Sequence, residues 1–279
     1  MIVHVALPIP VRKSFSYTVA DKWTPFVKPF LRVKVPFSNK DIVGFIVGAE
    51  EGDAPNLKEI HEVIDPFPLL DEVALRLVEW ASRYYIAPQG LVLRYALPPS
   101  LPIERYLKIQ MMSELDRDGL RDLALRKACI KAGRDVVYGY HHNGFLGLHD
   151  TFTNGEFLPY IRDGLGSTAE RTLFMGSAGE RLKYYIDITA HHLDKGENVL
   201  MLVPDHRSIG QFFFDRLSKH FPGRILRYGV SVTAKKRMEA YFRARREGGF
   251  LILGSRSCLF LPVFRNGHII VERPEEDEY

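Results

Sequence analysis

The sequence contains little cysteine and no long apolar run. Its 279 residues include only two cysteines, Cys129 and Cys258, which stand far apart in the chain. Two isolated cysteines cannot hold zinc by themselves and argue against a disulfide framework. No apolar run approaches the length of a membrane span. Because Met1 leads directly into residues 2–10 without a basic start, we expect no signal peptide and a reducing, cytoplasmic location.

Charge is nearly balanced overall but unevenly distributed. The net charge is +4, with 46% hydrophobic and 26% charged residues, which is typical of a globular chain of two or three domains. Residues 224–246 contain eight of the Lys and Arg residues, whereas residues 272–279 are mostly acidic. This mild basic excess permits nucleic-acid binding without requiring it.

Residues 171–205 have the pattern of a strand, a glycine turn, a helix and a second strand. An apolar run at 173–175 predicts the first strand, helical spacing over 182–189 predicts the helix, and residues 199–203 predict the second strand. This order is the frame of a βαβ unit that binds nucleotide phosphates.

The residues that would contact phosphate are missing from this frame. Gly176 and Gly179 are present, and we expect them to be kept because the turn needs them. Glu180 and Arg181 stand where a working phosphate loop has Lys followed by Ser or Thr. A carboxylate in place of the lysine repels a triphosphate. The sequence therefore predicts a degenerate nucleotide site.

Residues 1–104 are predicted to be rich in β-structure. Proline-punctuated and alternating segments predict strands at 2–7, 15–19 and 58–64, a hairpin at 32–47, and a helix at 69–85. A proline cluster at 96–102 predicts the domain boundary. Pattern alone leaves open a small β-rich barrel with one helix that has no binding function.

Short motifs in this region resemble, in order and spacing, the N-terminal domain of the PriA family of bacterial replication-restart helicases, also called primosomal protein N′. They are VALPIP (5–10), FSY (15–17), RVKVPF (32–37), GFIV (44–47), LKEI (57–60), Asp65-Pro66, WASRYY (80–85), Gly90 and ALP (96–98). The resemblance implies a domain that captures the 3′ end of a nascent strand at an arrested fork.

The resemblance also implies an end-binding pocket. Its residues here would be Phe15, Ser16 and Tyr17 of the FSY motif, together with Ser38 and Lys58. An aromatic ring at position 15 can stack on the terminal base, and a lysine can neutralise a phosphate. Two positions depart from the family, which has Asp at position 16 and Gly at position 38. For Lys58, a solvated strand lysine is the alternative interpretation.

Residues 105–165 are less informative. A strand is predicted at 107–109, a helix at 118–131 and a turn-rich segment at 138–144. The resemblance implies a winged-helix domain here, which the sequence fits loosely, as a short and eroded winged-helix-like segment. His141 and His142 lack further metal-ligating residues nearby, so we expect them at the surface.

Further motifs occur at LMLVPDHRSIGQ (200–211), LILGSRSCLFLPV (251–263) and GHIIVERPEEDEY (267–279). From residue 168 onward the chain resembles, on these motifs, the first helicase lobe of the same family. At the end of the last predicted strand, Glu272 and Arg273 replace a pair of acidic residues that serve magnesium binding and catalysis in the family. We therefore predict no ATPase and no cofactor, although ATP and Mg²⁺ are cofactors of the family. The second lobe and the zinc region of the family have no counterpart here, so the sequence is either a reduced protein or the front of a longer one.

The predicted fold class is α+β followed by α/β. Residues 1–104 form a small β-rich DNA-binding domain, residues 105–165 a short winged-helix-like segment, and residues 166–279 a partial RecA-like domain with a degenerate P-loop.

The leading functional hypothesis is a primosomal protein that recognises stalled forks. Its partners would be branched or forked DNA, a 3′ DNA end, and primosome or replication-restart proteins, with no membrane. Lys235, Lys236, Arg237 and Arg256 are candidate backbone contacts; a solvated basic helix and an arginine bonded to the strand end are the alternatives. Two rival functions stay open: an active ATP-dependent 3′–5′ DNA helicase, and a non-catalytic scaffold or remnant.

Overall fold

The structure is a computed structural model. It describes residues 1–52, 54–97, 101–112, 116, 118–159, 171–204, 207–229 and 232–272. The chain divides into two compact units, Met1–Tyr160 and Ile161–Tyr279. The first contains an antiparallel sheet and the second a parallel sheet, as the fold class predicts. The finer boundaries at residues 104 and 165 stay predictions.

Unit 1 is built on a five-stranded antiparallel sheet. Its strands are β1 (Ile2–Ala6), β2 (Phe15–Thr18), β3 (Arg32–Phe37), β4 (Lys40–Glu50) and β5 (Glu62–Val63), in the order β2-β1-β4-β3-β5. The predicted hairpin over 32–47 is confirmed as β3 and β4. Val33 and Val35 are fully buried and Lys34 between them is more exposed, as alternation predicts, whereas Arg32 is buried by its ion pair with Asp65.

A short segment before β5 joins the two edges of this sheet. The amide of Thr18 in β2 donates to the carbonyl of Lys58 (2.9 Å), and Ile60 donates back to Thr18 (2.9 Å). His61 then donates to Lys34 of β3 (2.8 Å). Because the segment bonds to both β2 and β3, the sheet closes into a small barrel. The strand predicted at 58–64 is thus shorter than expected, and its first residues make bridges to β2.

Two helices follow the barrel strands in unit 1. Helix α1 (Glu72–Tyr84) begins at Asp71, whose carboxylate accepts from the amide of Ala74 at 2.7 Å, and it confirms the predicted helix. Helix α2 (Gln89–Ala96) was not predicted. It approaches β1 so closely that a Cβ added at Gly90 would lie 1.9 Å from the carbonyl oxygen of Leu7.

The rest of unit 1 consists of two helices and a two-stranded sheet. Strands β6 (Leu107–Met111) and β7 (Leu146–Asp150) pair antiparallel, and helices α3 (Leu125–Ala132) and α4 (Arg134–His142) lie between them in sequence. The turn predicted at 138–144 is wrong, because most of it belongs to α4. Burial explains the difference: Tyr138 packs in the core at 1% exposure, a tertiary contact that its glycine-rich neighbourhood does not predict. A winged helix stays a prediction.

Arg134 of α4 ties these helices to the barrel. Its guanidinium bonds Glu62 of β5 (2.5 Å), Glu104 (2.8 Å) and the carbonyl of Ile64 (3.0 Å). Tyr138, one turn later, donates its hydroxyl to the same carbonyl. One arginine therefore satisfies two carboxylates and a backbone acceptor at the junction.

Unit 2 is a parallel sheet with helices between its strands. The elements are α5 (Ala178–Asp194), β8 (Asn198–Leu202), α6 (Arg207–His220), β9 (Ile225–Tyr228), α7 (Ala234–Ala244), β10 (Leu251–Gly254), a 3₁₀ helix (Arg256–Phe260) and β11 (Asn266–Val271). The strand order is β11-β8-β10-β9. Buried apolar residues on β8, β10 and β11 form the core with α5 and α6.

The strand predicted at 173–175 does not form. Residues 171–177 are irregular, and Leu173 and Met175 are 80% and 84% exposed. The ring of Phe174 stacks on Tyr184 of α5 with centroids 4.7 Å apart. Three apolar residues are too short a pattern to distinguish a strand from a loop, and here contact with the helix decides the conformation.

Candidate nucleic-acid interface

An aromatic pair marks one end of β2. Phe15 is half-buried and meets Phe37 edge to face, with ring centroids 5.2 Å apart. The ammonium group of Lys13 lies 5.3 Å from the Phe15 ring centroid. Ser38 follows Phe37 in the β3–β4 turn with a positive φ of 53°. A non-glycine residue in this left-handed region costs roughly 1–2 kcal/mol, which explains why glycine suits the position. Phe15 and Ser38 thus lie in neighbouring segments, joined by Phe37.

The other two residues of the FSY motif have different surroundings. Side chains alternate along a strand, so Ser16 faces away from Phe15 and Tyr17. Its hydroxyl lies 3.1 Å from Nδ1 of His4. Tyr17 is buried, donates its hydroxyl to the carbonyl of Pro36 (3.3 Å), and has a pKa raised by burial. The side chain of Tyr17 stabilises the barrel interior.

Lys58 lies on the segment that closes the barrel. Its side chain is exposed, and its carbonyl is held by the amide of Thr18. Phe15 and Thr18 are the two ends of β2, roughly 10 Å apart along an extended strand. The fold therefore brings Lys58 alongside the strand that carries Phe15, although more than forty positions of sequence separate them.

Sequence reasoning assigned no role to an exposed group of aromatic residues on α1. Trp80 and Tyr84 stack with centroids 4.9 Å apart, and Tyr85 meets both rings edge to face. These three residues, 52–67% exposed, are the α1 aromatic surface. Arg76 and Arg83 line the same shallow depression. The sequence did contain a signal for this surface, because these aromatic residues lie away from the buried face of an amphipathic helix.

In unit 2, Glu180 caps a helix. The Ser177 hydroxyl and amide bond the Glu180 carboxylate at 2.7 and 2.8 Å, and the amide of Glu180 returns a bond to the Ser177 hydroxyl. This is a capping box, and the bonds from the Ser177 hydroxyl and amide lower the pKa of Glu180. The sequence signal, Ser followed three residues later by Glu, was present and was missed.

Arg181 bonds the residue at the end of β11. Its guanidinium donates to Glu272 (3.1 Å) and to the carbonyl of Gly176 (2.8 Å). Tyr185 donates its hydroxyl to the second oxygen of Glu272 (2.5 Å), and Glu272 is 2% exposed. The bond to Glu272 raises the pKa of Arg181, and burial followed by the same carboxylate raises that of Tyr185. Arg273 lies outside the described residues.

The expectation that the turn needs both glycines is not met at Gly179, where an added Cβ would meet nothing within 4 Å. At Gly176 an added Cβ would lie 3.1 Å from the Phe174 ring and 3.3 Å from Glu180, so crowding favours glycine there, although neither glycine has a positive φ.

Replacing Ser177 by alanine removes the hydroxyl acceptor at the start of α5. We expect unit 2 to lose about 1 kcal/mol of unfolding free energy in urea, because one amide of the first turn loses its partner. Ser177→Thr, which keeps a hydroxyl that can both accept from the amide and donate to Glu180, should stay within about 0.5 kcal/mol of the parent. Equal losses in the two variants would contradict the capping role.

The basic candidates of unit 2 lie at one edge of its sheet. Lys235 and Lys236 are exposed in the first turn of α7, which follows β9, and Arg256 is exposed at the start of the 3₁₀ helix after β10. Because the strands are parallel, their carboxyl ends share an edge, where a cavity lined by Arg227 and Ser255 also opens. Arg237 is half-buried on α7.

The described residues contain neither a candidate metal cluster nor a candidate membrane-spanning helix. Across these ranges no group of three or more His, Cys, Asp and Glu side chains is placed to hold a metal ion. Nor does any helix in the described part of the chain combine the length and apolar character needed to cross a membrane.

Comparison with known proteins gives consistent matches. Residues 4–98 match the family model of the PriA 3′ DNA-binding domain. Replication restart protein PriA of Buchnera aphidicola subsp. Acyrthosiphon pisum is 22% identical over 97% of this chain. The same protein of Buchnera aphidicola subsp. Schizaphis graminum is 25% identical over 100% of this chain. The PriA of Treponema pallidum is 21% identical over 99%. These alignments cover 43%, 44% and 39% of the relatives, so the chain spans less than half their length. Residues 4–98 therefore form a domain of the PriA 3′ DNA-binding type, and the chain as a whole is similar to PriA proteins.

Proposed function

We propose that this protein binds the 3′ end of a strand at branched or forked DNA and acts in replication restart, with a helicase-type lobe that does not hydrolyse ATP. The observation that carries the proposal is the half-buried Phe15–Phe37 pair inside the matched domain, with an exposed lysine on the neighbouring segment.

The chemistry of this surface suits a nucleotide at a strand end. An aromatic face offers about 1–3 kcal/mol of base stacking regardless of base identity. Lys13 and Lys58 add positive charge within reach of the adjacent phosphates. In unit 2, Lys235, Lys236 and Arg256 supply further phosphate contacts at the sheet edge. Binding should therefore weaken as salt rises.

We assign unit 2 as a partial RecA-like lobe whose nucleotide site is closed. Its parallel sheet with intervening helices supports the assignment. The residues present do not fit ATP and Mg²⁺. Glu180 places a carboxylate in the helix cap where phosphate would bind, and Arg181 neutralises Glu272, which would otherwise be the acid available for a metal ion. We therefore derive no catalytic step from this lobe.

The α1 aromatic surface is the candidate site for a restart partner. Three exposed aromatic residues with two arginines beside them have the composition of a protein-binding hot spot. A scaffold that has lost DNA binding would use the same surface, so this rival function also has structural support.

Phe15→Ala and Lys58→Ala should each weaken binding to a fork that carries a 3′-hydroxyl end. We expect a loss of about tenfold for Phe15→Ala, since a stacking contact disappears, and a smaller loss for Lys58→Ala that shrinks in high salt. Fluorescence anisotropy on matched forks with a 3′-hydroxyl, a 3′-phosphate or no free end measures both. Lys28→Ala, at an exposed lysine of the same unit, is the charge-matched control. Equal, weak binding to all three DNAs would favour the scaffold.

Millimolar Mg²⁺–ATP should leave the melting temperature of the protein unchanged. A ligand stabilises the folded state in proportion to its binding, so an absent site gives no shift. The same samples, assayed for phosphate release with and without forked DNA, should show no hydrolysis. A rise of several degrees, or DNA-stimulated hydrolysis, would instead support the active helicase.

A further inference from the structure

Residues 58–64, which we call the closing segment, are held to the rest of unit 1 at both ends. At the first end, Lys58 and Ile60 exchange hydrogen bonds with Thr18 of β2, each 2.9 Å long. At the other end, β5 contributes only two residues to the ladder with β3. So short a strand is held weakly by the sheet itself, because each hydrogen bond adds only a modest net stability.

Arg134 of α4 holds this second end. Its guanidinium donates to the carboxylate of Glu62 (2.5 Å) and to the carbonyl of Ile64 (3.0 Å), and the arginine side chain is 15% exposed. Tyr138, one helical turn later, donates its hydroxyl to the same carbonyl of Ile64. Glu104 accepts from the third guanidinium nitrogen (2.8 Å). With all three nitrogens engaged, the planar guanidinium has a fixed orientation, and so does the end of the closing segment.

This contact bears on Lys58, because Lys58 lies at the other end of the same segment. A charged side chain contributes more to binding when its backbone is already fixed, since less conformational freedom is lost in the complex. The exposed side chain of Lys58 therefore depends on how firmly both ends of the segment are held. One of the two anchors, α4, begins at Arg134, beyond the domain formed by residues 4–98.

We propose that Arg134 is a positioning residue for DNA-end binding, which fixes the closing segment and thereby holds the Lys58 side chain ready to contact a phosphate. The inference rests on the proposed function, in which Lys58 is assigned to the DNA. It adds that end binding by the barrel depends on a helix outside the barrel domain. Arg134 stays bonded to Glu62 and Glu104 and acts through the protein backbone.

Hydrogen exchange of the full chain tests the anchor without DNA. In Arg134→Met, the amides of the closing segment should exchange about tenfold faster, while those of the β1–β4 ladder keep their parent rates. Arg126→Met on α3 is the matched control, since it removes the same charge and a 3.9 Å ion pair with the same Glu104. It should leave the closing segment unchanged. Parent rates in Arg134→Met, or equal acceleration throughout unit 1, would overturn the proposal.

Tyr138→Phe is a milder variant for the case in which Arg134→Met does not fold. It removes one donor to the Ile64 carbonyl and keeps the aromatic ring in the core. We expect exchange in the closing segment to rise about threefold, with no change in the β1–β4 ladder. An unchanged rate in the closing segment of this variant would also contradict the proposal.

A double-mutant cycle then connects the anchor to DNA. On a fork with a 3′-hydroxyl end, Arg134→Met should weaken binding about three- to fivefold in fluorescence anisotropy. Combined with Lys58→Ala, it should cause no further loss, because the side chain that it positions is already gone. Combined with Phe15→Ala, it should keep its full factor, because stacking uses a different segment. Equal further losses in both backgrounds would show a general structural effect and overturn the role of Arg134.

The outcomes separate this inference from the proposed function. If Phe15→Ala and Lys58→Ala weaken end binding while Arg134→Met does not, the proposed function stands and the inference about Arg134 is wrong. If the parent shows no preference for a 3′ end, both are wrong.

Discussion

Replacing Asp65 by alanine should remove about 3–5 kcal/mol from the unfolding free energy of unit 1, which is a large part of the stability of a typical domain. Asp65 and Arg32 are both 2% exposed and form a two-pronged ion pair, with Nη2–Oδ1 at 2.6 Å and Nε–Oδ2 at 2.9 Å. The backbone amide of Arg32 also donates to the carboxylate (3.1 Å). Without it, a buried guanidinium loses its counter-charge. Urea unfolding followed by circular dichroism measures the loss.

A matched pair of controls separates burial from charge. Glu72→Ala breaks an exposed pair with Arg76 on α1 and should cost at most about 0.5 kcal/mol. Replacing Arg32 and Asp65 together by apolar residues should cost less than Asp65→Ala alone, because no unpaired charge is then buried. A double variant as unstable as the single would show that geometry, including the bond from Arg32 to the carbonyl of Leu101, matters more than charge.

Gly90→Ala should destabilise unit 1 by about 3 kcal/mol or more. The added methyl group would lie 1.9 Å from the carbonyl oxygen of Leu7 and 2.5 Å from its carbon, and backbone atoms cannot move aside as a flexible side chain can. We expect α2 to separate from β1, with faster hydrogen exchange over both segments. Thermal melting gives the size of the effect.

Gly139→Ala is the matched control, since it makes the same change in another helix of unit 1. A Cβ added at Gly139 meets nothing within 4 Å. Because alanine restricts the unfolded chain more than glycine does, this variant should be about 0.5–1 kcal/mol more stable than the parent. If both variants lowered stability alike, the close approach of α2 to β1 would not be the cause.

The two substitutions with the largest expected effects, Asp65→Ala and Gly90→Ala, are at residues that belong to the motifs of the family resemblance. Arg32 begins the RVKVPF motif, Asp65 stands in the Asp-Pro motif, and Gly90, itself one of the matched positions, packs against Leu7 of the VALPIP motif. The structure gives each of them a packing or ion-pair role within the barrel. The resemblance of these motifs therefore reflects the fold of the domain, whereas the proposed DNA contacts lie at Phe15, Lys58 and their neighbours.

Local sequence patterns correctly predicted the elements that depend on residues close together in the sequence. The alternation of Val33 and Val35 predicted the hairpin, and helical spacing over residues 69–85 predicted α1, although not its cap at Asp71. The strand at 173–175 and the turn at 138–144 were wrong for a shared reason. In each case an aromatic residue contacts a partner outside the predicted segment: Phe174 stacks on Tyr184, and Tyr138 bonds the carbonyl of Ile64.

The sequence by itself determined the similarity to PriA proteins, the mixed fold class and the absence of Lys and of Ser or Thr directly after Gly179, because these depend on residue identity and short spacing. Only the tertiary structure decided which strands and side chains contact each other across long sequence separations. It closed the barrel through residues 58–61, since hydrogen bonds between distant strands depend on register. It paired Arg181 with Glu272 across ninety-one positions, and it placed His4 against Ser16. Such contacts depend on the three-dimensional path of the whole chain, and a local sequence pattern does not specify that path.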